Sequence, residues 1–90
     1  MEENAILSEI KTFLDAEGKL KQFPSKYSKQ KIAIEYLAGK FESGRSYTEK
    51  EVNEIINQNH TFSDWTMLRR FLVDYKFLAR TTDGKEYHKV

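Results

Sequence analysis

A mainly helical α+β domain that closes on a β-hairpin is the fold this sequence predicts, and three observations predict it. Successive segments carry apolar residues at helical spacing, Thr48-Glu49-Lys50-Glu51 is a helix-start signal, and Asp83-Gly84 separates two short runs near the carboxy-terminal end. Ninety residues make one small domain, which must gather most of its apolar side chains into a single core. The whole of 1–90 is therefore expected to be one unit.

The first segment places Ile6, Ile10, Phe13 and Leu14 on one stripe, which predicts a helix from about Asn4 to Ala16, stopped by Gly18. Lys19 to Phe23 reads as an edge strand or an extended link closed by Pro24. A second helix is expected to start at Ser28, acting as its cap, and to run through Ile32, Ala33, Tyr36, Leu37 and Phe41 until Ser43-Gly44. At the third start the Thr48 hydroxyl can accept from the Glu51 amide while the Glu51 carboxylate reaches back. Tyr47 and Val52 are placed as the two halves of a hydrophobic staple.

That helix continues through Ile55 and Ile56 to about Gln58. After Asn59-His60-Thr61, either Thr61 or Ser63 is expected to cap a fourth helix that holds Trp65, Leu68, Phe71, Leu72 and Tyr75 on one side. The tail changes period. A two-residue loop at Asp83-Gly84, with both residues at positive φ, pairs Thr82 with Lys85, so that Arg80 falls opposite Tyr87 and Leu78 opposite Lys89. Helix, short strand, three helices and a carboxy-terminal hairpin wing describe a winged helix-turn-helix. The segment near 48–58 precedes a recognition helix near 63–75.

Charge is distributed unevenly behind a net +1. Residues 1–18 sum to −4, residues 19–31 hold five lysines and no acid, residues 32–63 sum to −2 and residues 64–90 to +2. With a pI near 7.9 the chain is a patchwork rather than the polycation that pI values above about 9 announce. The absence of cysteine removes disulfides, thiolate nucleophiles and cysteine metal sites, which fits a reducing, cytoplasmic setting. No apolar run approaches a membrane span. His60 and His88 lack the spacing of a metal pair, and the sequence has neither a phosphate loop nor a nucleophile elbow, so no metal, cofactor or catalytic residue is expected.

The candidate contacts are those of a reader of double-stranded DNA. If Leu68 and Leu72 mark the buried side of the fourth helix, Thr66, Arg70 and Val73 lie on its far face with Arg69 and Met67 on the flanks. An arginine there can reach guanine O6 and N7 as a bidentate pair. Lys85 and Lys89 on the wing are candidates for phosphate, with Arg80 as a third. Lys29 and Lys31, in the lysine run at the start of the second helix, form a second candidate patch. The competing readings are an arginine-solvated outer helix face, with Asp64 and Asp74 opposing phosphate, and a protein-interaction or dimerisation module, including a homodimer.

Several blocks resemble a bacterial domain-of-unknown-function family, number 2087. They are Gly18 to Pro24, Lys29 to Phe41, Tyr47 to Asn53, Leu68 to Tyr75, Leu78-Ala79-Arg80, and Asp83 to Tyr87. The likeness covers about residues 17 to 88. It implies a winged-helix-like, bacterial, cytoplasmic module associated with transcription regulators, in which such domains often follow an amino-terminal helix-turn-helix domain. The family has no assigned activity to carry onto any residue. With about 17 residues ahead of the match, no separate DNA-binding domain is expected there. Either the domain itself touches DNA or it serves as the partner-binding half of such an arrangement. Arg80 is also placed to stack on Tyr87 across the hairpin.

Overall fold

Residues 8–90 are described by the computed structural model, and they fold in the order α1 (Tyr27–Ala38), β1 (Ser46–Thr48), α2 (Glu49–Asn57), α3 (Trp65–Asp74), β2 (Leu78–Arg80) and β3 (Glu86–Lys89). The strands make one antiparallel sheet in the order β1-β3-β2, so the carboxy-terminal strand is the central one. The domain is α+β, mainly helical, with the layout of a winged helix-turn-helix. Among the described residues no helix is long and apolar enough to cross a membrane.

The amino-terminal helix departs from expectation. Its first residues, with Asn4 and Ile6, lie outside the described ones; residues 8–10 are helical, Lys11–Phe13 tighten into a 3-10 turn, and Leu14 is already extended. Asp15 causes the stop: its carboxylate accepts from the Glu17 and Lys19 amides, 2.9 Å each, which gives the backbone a turn in place of a helix. Gly18 completes that turn at φ +82°, and Tyr36 donates its hydroxyl proton to the Gly18 carbonyl at 2.8 Å. Lys19 to Phe23 is a link rather than a strand, with Leu20 alone bridging Leu14 on one side and His60 on the other.

Helix α1 starts one residue before Ser28, which does not cap it; the N-cap is Lys26, without a side-chain hydrogen bond. Gln30 Nε2 instead donates to the Pro24 carbonyl at 2.9 Å and fixes the approach to the helix. The helix ends at Ala38 rather than at Ser43-Gly44, because Gly39 is a poor helix former and Phe41 turns inward to meet Tyr47 edge-on at 5.2 Å. Tyr47 brings a strand that the staple reading omitted: three residues of β1 pair with β3, Tyr47 opposite Tyr87.

At α2 the capping box forms as expected. Glu51 N–H donates to Thr48 Oγ1 at 3.1 Å, and Thr48 N–H to Glu51 Oε1 at 2.9 Å. That second bond, followed by the Thr48 hydroxyl and Arg45, holds the Glu51 carboxyl below its usual value. A carboxylate depressed by folding stabilises above its unfolded pKa, and the contribution is lost as pH falls through the lowered value. Thr48→Ala is therefore expected to cost ~1 kcal/mol at neutral pH. Glu51→Gln should flatten the acid limb of a stability-against-pH curve measured by urea unfolding; an unchanged acid limb would contradict the coupling.

Helix α3 closes in a Schellman arrangement, with Phe77 N–H donating to the Leu72 carbonyl at 3.0 Å and Lys76 N–H to the Val73 carbonyl at 2.9 Å. The left-handed position is occupied by Lys76 at φ +65°, where glycine is the unstrained residue. Lys76→Gly is expected to raise stability by up to ~1 kcal/mol, read as a higher urea midpoint. A lower midpoint would mean that the lysine side chain holds this turn.

The hairpin register is the expected one, Arg80 opposite Tyr87 and Leu78 opposite Lys89. Its loop differs: Gly84 alone goes to positive φ, because the Thr81 carbonyl closes a turn on the Gly84 amide at 2.9 Å. Asp83 accepts from the Thr81 hydroxyl at 2.6 Å and the Lys85 amide at 3.0 Å, which lowers its carboxyl pKa. Under the sheet and between the helices, Ile10, Leu20, Ile34, Leu37, Val52, Ile56, Leu68, Leu72 and Leu78 are buried in one core. Each contributes ~1.5–3 kcal/mol.

Candidate nucleic-acid interface

The helix-turn-helix of α2 and α3 is held by its turn. Neither Thr61 nor Ser63 caps α3; Ser63 adopts φ +54°, and the N-cap is Asp64, whose side chain makes no capping bond. The His60 ring does the capping, 5% exposed. Asp64 N–H donates to His60 Nε2 at 3.0 Å, so the ring proton sits on Nδ1 and is donated to the Ile56 carbonyl at 2.7 Å. One imidazole thus joins the last turn of α2 to the N-cap residue of α3. Leu20 braces the same turn, its amide donating to the Asn59 carbonyl and its carbonyl accepting from the Thr61 amide, 2.9 Å each.

On α3, Leu68 and Leu72 are buried and Thr66 and Arg70 exposed, which is the orientation the apolar spacing predicts. Arg70 is 83% exposed in its side chain and lies 4.0 Å from Asp74, an open pair of little strength. Arg69 is different. Its side chain is 20% exposed and is fixed from three sides: Asn53 Oδ1 at 2.8 Å, Glu49 Oε1 at 3.4 Å, and the Trp65 ring under its guanidinium at 5.3 Å. Glu49 also accepts from the Tyr87 hydroxyl at 3.3 Å, so one carboxylate ties α2, α3 and β3 together.

Between α3 and the hairpin runs a cleft of about 330 Å³, lined by Thr66, Arg69, Arg70, Val73, Asp74, Arg80 and Tyr87. It sets Arg80 of β2 beside the adjacent pair Arg69 and Arg70 of α3. Arg80 faces Tyr87 in register within this cleft, while the stacked guanidiniums among the described residues belong to Arg45, over Tyr47, and Arg69. Lys85 is exposed on the hairpin loop. Lys89 shares the inward face of β3 with Tyr87, and its Nζ donates to the Phe41 carbonyl at 3.3 Å. Lys29 is paired with Glu9, and Lys31 is exposed one turn beyond Tyr27 on α1; neither lines the cleft.

The three groups that sequence reasoning did not place, the His60 cap, the Arg69 lock and the inward turn of Lys89, depend on partners that no local pattern names. Trp65, Phe71 and Tyr75 pack half-buried against the core, as their spacing suggests.

A family model described as uncharacterized protein conserved in bacteria (DUF2087) matches residues 19–89. The chain belongs to that family. Within this DUF2087 domain the match spans α1 to α3 and β1 to β3, from the Lys19 link onward, including the turn, the cleft and the wing, and leaves out the short helical segment before Leu14. No curated protein and no solved structure matches it.

Proposed function

We propose that this DUF2087 domain is a non-enzymatic, winged-helix reader of double-stranded DNA, acting in bacterial transcription regulation. The observation that carries the reading is the arginine-lined cleft between α3 and the hairpin, set on a helix-turn-helix whose turn is pinned at both ends. Thr66 and Arg70 stand clear of the core on the outer face of α3 and offer a hydroxyl and a guanidinium to base edges. Arg80 and Lys85 supply charge for phosphates beside them.

Arg69 and Lys89 take other roles. Each already has protein partners, so they position α3 and β3 rather than meet the nucleic acid. The weak Arg70–Asp74 pair is a contact that a phosphate or a guanine edge can replace at small cost. The alternative, a protein-interaction module of a regulator, draws on another surface, the aromatic side chains around the start of α1.

The test is a fluorescence-anisotropy titration with a mixed-sequence duplex across a salt series. Affinity should fall linearly on logarithmic axes. Arg70→Glu should weaken binding at least about tenfold and flatten the salt slope, the loss of one contact and the gain of one repulsion. Duplex binding of Arg70→Glu at wild-type strength would sink the assignment.

A further inference from the structure

The side of the domain away from the cleft carries an aromatic array. Phe23 stacks on Phe71 at 5.5 Å, Phe71 on Tyr75 at 5.8 Å, and Tyr75 meets Tyr27 at 6.3 Å. Phe71 also borders Thr66 and Arg70 on its other edge, but Tyr75 falls about 180° around the α3 axis from Thr66, so a duplex seated against Thr66 leaves the Tyr75–Tyr27 end of the array open. Its outermost member, Tyr27, is 72% exposed. The backbone that carries Tyr27 is tied down: Gln30 bonds to the Pro24 carbonyl, and the Lys26 carbonyl accepts from the Lys29 and Gln30 amides.

Lysines border it. Lys26 precedes Tyr27 and Lys31 follows it by one helical turn on the same face, while Lys21 lies two residues before Phe23. Lys19 and Lys29 of this run are paired with Glu17 and Glu9; among the described residues Lys21, Lys26 and Lys31 have no acid within ion-pair distance. The amino terminus of α1 has no side-chain cap and adds its positive end to theirs.

We propose that this face docks an acidic peptide segment of a partner protein, whose apolar side chains pack on Tyr27, Phe23 and Tyr75 and whose carboxylates meet Lys21, Lys26 and Lys31. The chemistry favours this occupant over two others. A second copy of the chain would set the lysine run against itself, because a two-fold interface joins a patch to its own image. A single-stranded nucleic acid needs open ring faces for its bases, and here the stack takes both faces of Phe71 and one face each of Phe23 and Tyr75. Aromatic anchors ringed by matching charge are what a peptide hot spot requires. The inference stands independently of DNA binding.

The experiment titrates the full chain, isotope-labelled for amide shifts, with an amphipathic peptide carrying Leu and Phe on one face and Glu on its flanks. Its counterpart has every Glu replaced by Gln. The acidic peptide should shift the amides of Phe23, Tyr27 and Tyr75, and the Gln peptide should bind at least about tenfold more weakly. Tyr27→Ala and the pair Lys26→Glu with Lys31→Glu should each cost about tenfold or more, at exposed positions where circular dichroism checks that the fold persists. Arg70→Glu should bind the acidic peptide as wild type does. Equal binding of the two peptides, no binding of the acidic one, or an unaffected Tyr27→Ala would overturn the proposal. Displacement of the peptide by oligothymidine would overturn it in favour of single-stranded nucleic acid, and a protein mass that doubles with concentration through Tyr27 in favour of a second copy.

Discussion

Replacing Tyr87 by alanine is expected to remove ~3–5 kcal/mol of stability, the cost of emptying a large aromatic from a core. Tyr87 is fully buried in the central strand, opposite Tyr47 on one side and Arg80 on the other, and its hydroxyl reaches the Glu49 carboxylate. The substitution therefore opens a void between both strand pairs and releases the carboxylate that helps fix Arg69. Because small domains are stable by only ~5–15 kcal/mol, the variant should be substantially unfolded in mild urea. Tyr87→Phe keeps the ring and loses one hydrogen bond, for ~1 kcal/mol. Far-ultraviolet dichroism during urea unfolding separates the two. An alanine variant within ~1 kcal/mol of wild type would mean that the sheet closes without this ring.

A second large loss is expected at His60. Alanine there strips the Asp64 amide of its partner, takes one of two donors from the Ile56 carbonyl, which keeps the Asn59 amide at 3.0 Å, and leaves a gap against Phe62, whose ring meets the imidazole edge-on at 4.9 Å. Uncapping a helix and emptying the space of a buried ring together cost ~2–4 kcal/mol. Glutamine supplies one acceptor and one donor at similar reach and should recover part of the loss. Amide exchange gives a local reading: the Asp64 proton should exchange much faster in His60→Ala than in wild type, and an unchanged rate would show that the cap is held by something else.

Much of the fold was legible because its determinants are local. The capping box needs residues three apart, and the hairpin register needs only the alternation about Asp83-Gly84; both appear as expected. What stayed hidden was set by distant partners. A three-residue strand at Tyr47 exists only because β3 pairs with it, some forty residues later, and no period can be read from three residues. No local pattern marks the His60 ring for burial, yet the Leu20 link lies beside it and the ring replaces the expected hydroxyl cap.

The site divides in the same way. Helical spacing alone put Thr66 and Arg70 on the outer face of α3, where they are found. The same spacing placed Arg69 on a flank, but only the fold shows Asn53 and Glu49 meeting it there. Lys89 follows strand period 2 with Tyr87, and since Tyr87 points inward the lysine goes with it.

The strand order β1-β3-β2 has a consequence for how the domain is made. The two outer strands pair with β3 and not with each other, so each keeps a bare hydrogen-bonding edge until the middle strand enters. Helices α2 and α3, joined by a short turn and mutually packed, can assemble during that interval from near neighbours in the chain. The sheet is then completed in a single late event, when Glu86–Lys89 slides between strands that were synthesised first. Until that event β1 and β2 are unpaired edges, open to association with the strands of other chains.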